Sequence, residues 1–407
     1  MNNNSLSLNR QHLMTLIQNV IESCNLQLND VISVVAAAKE DFNLEEHDTI
    51  VLAEAATGHY GLTSDNRPGL NYRRLVTLMR QAIERCHLQL QNTIVLTEAA
   101  TGAYVVTPVV AAMAGAKKVY AMTRNSRYGT IEQVIEQTYQ LAKIAGVSEC
   151  IEIITEKSKE IVAQADIITN SSHVRPIDAE MISGMKATAV ISLMYEAWEF
   201  RPDDIDIEIC RQRGIKVAGI NERHPSVDVF SFLGLMAIKL LLDAGIAVYK
   251  SNILLLCDNH FQNFIESGLI NAGAKVDSFQ NVSLAPKDAV YDAIVVAMQP
   301  QLAPVLSNIE AELIAERWPG VVVAQFWGDI DRSAFLAHSI PVWPPNAPNK
   351  GHMAILPSAI GPEPIIRLQT GGLKVGELLW RSSQQDKTSR ATAEFLNSEY
   401  IDEMISS

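Results

Sequence analysis

The sequence predicts an α/β protein. It has two doubly wound parallel-sheet domains joined by a long buried crossover helix, behind an N-terminal helical extension. Three observations carry this. Short apolar strand patterns alternate with helical periodicity in residues 93–220 and again in 251–345, and such alternation implies parallel sheets. Between the two runs, Val229–Leu242 is apolar almost all round, as a helix covered on every side would be. At 407 residues the chain is long enough for two domains.

Residues 1–92 form the expected extension and contain an internal echo. The stretch Leu13–Asp30 resembles Leu75–Asn92, and Thr49–Thr63 resembles Thr93–Thr107. The first copy has an insert, Val31–Asp48, and lacks the small-residue helix that follows the second. It reads as packing or an oligomer contact.

The first domain spans 93–245. Strand Thr93–Thr97 leads through a small-residue loop into helix Tyr104–Ala114. "AGAKKVYAMT" is a turn and second strand, and Ile131–Ala145 is a helix. Ile151–Thr155 and Asp166–Asn170 are further strands, then comes helix "PIDAEMISGMK" and the buried strand "ATAVISLM". Helix Asp204–Arg213, closed by Gly214, and strand Ile215–Gly219 precede the crossover helix, which Ser226 or Asp228 caps and which ends at Gly245. The second domain, 246–350, starts with strand "NILLLC" and helix His260–Asn271. Strands "GAKVDSF", "YDAIVVAMQP" and "GVVVAQFWGDI", helix Asp331–His338 and "IPVW" follow. A C-terminal helix within 360–383 completes the first domain, and the polar residues from Gln384 read as frayed.

Composition narrows the function. A net charge of −13 argues against a nucleic-acid or anionic-membrane partner. The five cysteines are scattered without CxxC spacing, as in a reduced, cytoplasmic protein. No histidine pair has HxxxH or HExxH spacing, so no metal is expected. No secretory signal or bilayer-spanning run is expected.

Ligands of open α/β sheets bind beyond the carboxyl ends of the strands. In the first domain these ends carry four polar loops. Thr101, Gly102 and Tyr104 follow the first strand, where helix amides could hold an anion. Arg124, Ser126 and Arg127 follow the second, a cluster suited to phosphate or carboxylate. Ser171, Ser172, His173 and Arg175 follow another strand, and Tyr195, Glu196, Trp198 and Glu199 the next. These are expected to meet a small polar or anionic substrate, with Glu196 as a candidate acid–base group.

"DIDIEICRQRGIKVAGIN" followed by "SVDVFSFLGLMAIKLLL" resembles the NAD-dependent D-isomer-specific 2-hydroxyacid dehydrogenases, the formate/glycerate dehydrogenase group, over roughly Ala165 to Leu379. The resemblance implies two Rossmann-like domains, a ligand in the cleft between them, and the second domain in the place of the dinucleotide-binding domain. Carried over position by position, Asp258, Asn259 and His260 stand in the phosphate loop, which reads "CDNHFQ" without the family's glycines. Asp277 stands where a ribose is bound, Pro300 ends a strand, and Trp327 before Gly328 stands where the family has its substrate arginine. His352, in "NKGHMA", aligns with the catalytic histidine, and an imidazole suits proton transfer at a hydroxyl or carbonyl. The family's catalytic glutamate has no counterpart. The resemblance implies an NAD- or NADP-linked oxidoreductase, acting as a homodimer or higher oligomer. The alternative is a non-redox ligand-binding or regulatory protein on the same fold. A methyltransferase-like reading of "TEAATGAYV" ranks third.

Overall fold

The architecture comes from a computed structural model, which describes residues 67–126, 128–384 and, as backbone, 396–397. The first copy of the N-terminal echo lies outside the described residues, as does Arg127. The chain divides into two compact units, Met1–Arg74 and Leu75–Ser407, and both sheets belong to the second.

The first sheet is built from β1 (Ile94–Glu98), β2 (Lys118–Met122), β3 (Ile151–Ile154), β4 (Ile167–Thr169), β5 (Val190–Ser192) and β6 (Lys216–Ile220). These six strands are parallel in the order β6-β5-β4-β1-β2-β3. Read from β3, that is the order 3-2-1-4-5-6, which reverses between β1 and β4. The crossovers include helices α2 (Val106–Met113), α3 (Ile131–Ala145), α4 (Lys159–Val162), α5 (Ala179–Gly184) and α6 (Ile207–Arg213). The core strands are apolar runs buried on both faces, as a parallel sheet covered by helices requires. Helix α1 (Tyr72–Cys86) precedes them and buries Leu75, Met79, Ala82 and Cys86 at helical spacing.

The second sheet comprises β7 (Asn252–Leu256), β8 (Lys275–Phe279), β9 (Ala293–Ala297), β10 (Val322–Trp327) and β11 (Val342–Trp343), parallel in the order β11-β10-β9-β7-β8. Counted within this domain the order is 5-4-3-1-2, the flavodoxin-like arrangement, which reverses between β7 and β9. The two sheets therefore have different topologies.

A short 3₁₀ turn, Phe230–Phe232, enters crossover helix α7 (Leu233–Asp243), which packs on α8 (Gln262–Asn271). Leu233, Met236, Ala237, Leu240 and Leu241 are buried, while Leu235 and Leu242 keep about half their surface exposed at 52% and 55%. The apolar periphery of this helix is wider than the face the domains cover. After α10 (Arg332–Ala337) and β11, helix α11 (Glu363–Gln384) returns to lie on β4, β5 and β6. Its glycines let it lie flush. A Cβ on Gly372 would stand 2.5 Å from Met194 Sδ, and one on Gly376 2.5 Å from Ile167 Cγ2.

Two features depart from the sequence reading. Helix α9 (Asn308–Arg317) was not anticipated, although Ser307 and Glu310 form the capping box that opens it. The tail, expected to fray from Gln384, contributes a two-residue strand, β12 (Leu396–Asn397), antiparallel to β6. Among the described residues no helix is long and apolar enough to cross a membrane, and no side-chain cluster could hold a metal ion.

Candidate functional site in the cleft between the sheets

At the reversal point of the first sheet the loops after β1 and β4 meet. Glu98, the last residue of β1, is buried, and its carboxylate accepts the His173 amide at 3.3 Å. Burial raises its pKa above the usual carboxylate range. The loop Ala99–Ala103 contains no side chain larger than threonine, and Gly102 takes a left-handed φ of +65°. Gly102 donates its amide to Gln137 Oε1 at 3.2 Å, and Thr101 Oγ1 donates to the Tyr128 carbonyl at 2.8 Å. The loops after β1 and β2 are thus tied together. Burial, with Glu98 and other acidic groups nearby, pushes the Tyr104 phenol up.

The loop after β4 is a framework of its own hydrogen bonds. Ser171 Oγ lies 2.7 Å from Thr169 Oγ1 and is buried. Arg175 donates through Nε and Nη2 to Asn170 and pairs through Nη1 with Asp204 at 3.3 Å. Ser171 and Arg175, expected to meet substrate, brace the loop through these contacts. Ser172 and His173 present backbone amides to Glu98. Burial and the nearby Arg124 lower the His173 pKa. Arg124 donates to the carbonyls of His173 and Arg175, and Ser126 Oγ accepts the Tyr128 amide at 3.1 Å.

The loops after β5 and β6 face the second sheet across a cavity of about 390 Å³. One wall is Glu196, Trp198, Arg223 and Phe230. The other is the loop Asp258–Gln262 after β7, with Gln280, Gln299 and Trp327 from the ends of β8, β9 and β10. The volume is that of a small-ligand site. Trp198 stacks at a tilt on Trp327 with centroids 5.1 Å apart, and Phe261 lies 5.0 Å from the same ring. The aromatics of both domains therefore meet in one wall.

Glu196 is fully buried. Its Oε2 accepts Trp198 Nε1 at 2.5 Å and its Oε1 accepts the Glu222 amide at 3.1 Å, with Arg223 Nε 3.7 Å away. Adjacent parallel strands explain the proximity: Glu196 and Glu199 follow β5, and Glu222 follows β6. Gly219 is what allows it, since a Cβ there would stand 2.5 Å from the Ala197 backbone nitrogen. Crowding and burial set the proton affinities. Burial, then Glu196, push Glu199 up to about 7. Burial, then Glu199 and Glu196, push Glu222 well above the carboxylate range. Three enclosed carboxyls cannot all ionise at neutral pH.

In the second sheet the reversal point is filled by side chains. Asn259 Nδ2 donates to the Ala297 carbonyl at 2.8 Å, and Asp258 Oδ1 accepts the Gln299 amide at 2.8 Å. His260 lines the cavity beside them. Asp277, expected at a ribose, lies within β8 rather than beyond it, does not line the cavity, and accepts the Tyr291 hydroxyl at 2.7 Å. Pro300 follows β9 but does not line the cavity. Gly328, at φ +94°, lets the end of β10 pass the Met298 carbonyl. Trp327 Nε1 donates to the Gly351 carbonyl at 3.1 Å, which anchors the loop carrying His352. His352 itself stands off the cavity wall. Burial, with Arg201 and Arg175 nearby, holds its imidazole below the usual pKa. Glu222, Arg223, Phe230, Gln280 and Gln299 were not singled out from sequence. The signal for Glu222 was its place after the strand next to that of Glu196.

These features define a two-sheet α/β protein with a cavity, bordered by a cluster of buried carboxyls, where the strand ends of both sheets converge. No family model and no curated protein matches the chain. Several solved structures are similar to the chain. Dipicolinate synthase A chain from Bacillus subtilis is 12% identical with a TM-score of 0.46, covering 74% of this chain and 100% of that one. The corresponding dipicolinate synthase chain from Bacillus halodurans is 10% identical with a TM-score of 0.44, covering 73% and 99%. NAD-dependent formate dehydrogenase from Staphylococcus aureus, in complex with NAD, is 13% identical with a TM-score of 0.40, covering 69% and 92%.

Proposed function

We propose that the protein is an NAD(P)-linked oxidoreductase that holds a small polar substrate in the cleft cavity. The dinucleotide lies on the first sheet, reversing the roles the sequence suggested for the two domains. The observation that carries this is the 3-2-1-4-5-6 order of the first sheet, whose reversal point is the ordinary place of a dinucleotide. A pyrophosphate must approach backbone amides closely. The small residues Ala99–Ala103 before α2 permit that approach, whereas Asp258 and Asn259 fill the corresponding crevice of the second sheet. From β1 the bound molecule would run past β4 to the ends of β5 and β6, which open on the cavity. The residues present therefore fit the group, although the loop has one glycine rather than three.

When bound, a nicotinamide supplies hydride transfer. The chain's own part is proton handling and enclosure. Glu196, fixed by Trp198 and the Glu222 amide, faces the cavity as an acceptor. Glu199, pushed up to about 7, exchanges its proton near neutral pH and Glu222 is pushed well above the carboxylate range, so the cluster can give a proton to a carbonyl or take one from a hydroxyl. Trp198, Trp327 and Phe261 exclude water and offer a flat surface to a planar ring. Arg223 is the cavity's one arginine beside several carboxyls, which suits a hydroxyl- or carbonyl-bearing substrate better than a multiply charged anion. His352 is a second proton carrier at the cleft margin, kept neutral near pH 7.

Calorimetric titration with NADH and NADPH tests the reading. One of them should bind at micromolar concentration, and Trp198→Ala should weaken it at least about tenfold through lost ring contact. No binding of either at millimolar concentration would overturn the proposal and leave the non-redox alternative.

A further inference from the structure

We infer that the dinucleotide carries a 2′-phosphate, and that Arg124 and Lys157 are the cations that recognise it. This rests on the placement of the dinucleotide on the first sheet. In a sheet of this order the adenosine ribose lies beyond the carboxyl end of β2. A carboxylate at that place binds the ribose hydroxyl and repels a phosphate, whereas an arginine accommodates the phosphate. Here β2 ends in Met122-Thr123-Arg124-Asn125-Ser126, and no acidic residue occurs between Glu98 and Glu132.

The arrangement of charge supports the same assignment. Arg124 is exposed, and its Nη2 donates to the His173 carbonyl at 2.5 Å and the Arg175 carbonyl at 3.0 Å. Lys157, just beyond β3, donates to the Val174 carbonyl at 2.8 Å and the Pro176 carbonyl at 2.7 Å. Two cations from neighbouring strand ends thus grip the carbonyls of residues 173 to 176. Carbonyls position a cation without neutralising it. Among the described residues neither cation is ion-paired with a carboxylate, in a chain whose net charge is −13. Nε and Nη1 of Arg124 remain for a planar, two-pronged contact with phosphate oxygens. Burial lowers the proton affinity of Lys157, with the nearby Asp178 raising it and Arg124 lowering it, and an anion bound between Lys157 and Arg124 would relieve the repulsion between the two cations.

Thr101 ties this end of the sheet to the pyrophosphate loop. Its methyl group occupies the space above Gly129, where a Cβ would come within 2.7 Å of it. The loops after β1 and β2 therefore form one surface, on which a pyrophosphate and a 2′-phosphate would lie side by side.

The test is calorimetry on the full chain with NADPH, NADH, 2′,5′-ADP and 5′-AMP. NADPH should bind at least about tenfold more tightly than NADH, since a charge-assisted contact is lost with the phosphate. The compound 2′,5′-ADP should compete with NADPH, and 5′-AMP should not. Arg124→Gln should abolish the preference for NADPH over NADH, and Arg124→Lys should restore part of it. Lys157→Gln should reduce the preference in the same direction without touching Arg124. NADH binding as tightly as NADPH in the wild-type chain would overturn this inference while leaving the oxidoreductase reading intact. Failure of both nucleotides to bind would overturn both.

Discussion

Glu199 shows how a single residue reports its surroundings. In the unfolded chain its carboxyl loses its proton near 4.5, whereas in the cleft it keeps the proton up to about 7. The folded state therefore binds more protons across that window, and stability falls as pH rises through it. Glu222 and Glu98 are shifted in the same direction by burial and add to the slope. Replacing Glu199 with glutamine removes its share. Thermal melts between pH 5 and 8 should show the Glu199→Gln variant losing a few degrees less than the wild type. Parallel pH dependence in the two proteins would mean that no buried charge at position 199 opposes folding.

At the scale of elements, β5 and β6 matter most, because their ends bring the three carboxyls together. Gly219→Ala would drive a methyl group into the Ala197 backbone and push the Glu196–Glu199 turn outward. The expected cost is about 1–3 kcal/mol in denaturant unfolding, as for other overpacked sites, with nucleotide binding weakened by more than the loss of stability explains. Wild-type stability and affinity in this variant would show that the turn does not depend on that close approach. The elements were also the part of the fold most legible in sequence. Alternating apolar runs and caps such as Thr130 with Gln133 at the start of α3 locate them. Helix α9 escaped because its apolar face is weak, and only Ser307 and Glu310 announce it. Strand order is another matter. It depends on which edges pair across the sheet, and no local pattern records that. The resemblance assigned the substrate to the first domain and the dinucleotide to the second, without knowledge of that order. The cleft was legible in part. Glu196, Asp258, Asn259, His260 and Trp327 stand at strand ends and converge on the cavity. Arg175, Asp277 and Ser171 have the same local look but bond to partners within the fold.

The whole molecule sets two sheets of different order side by side. In the proposed function the first would take the dinucleotide along its carboxyl edge, and the second would close the reactive end with aromatic and amide side chains. Helices α7 and α11 join the two domains, so the walls of the cavity are held by packing rather than by a loop. The most direct measurement is hydrogen–deuterium exchange with and without saturating NADPH. The account predicts protection in residues 98–105, 123–126, 170–176 and 195–199, with weaker protection at 258–262 from closure of the cleft. Protection confined to 257–262 and 277–280, with the first-sheet loops exchanging as in the free protein, would place the nucleotide on the second sheet and contradict the account.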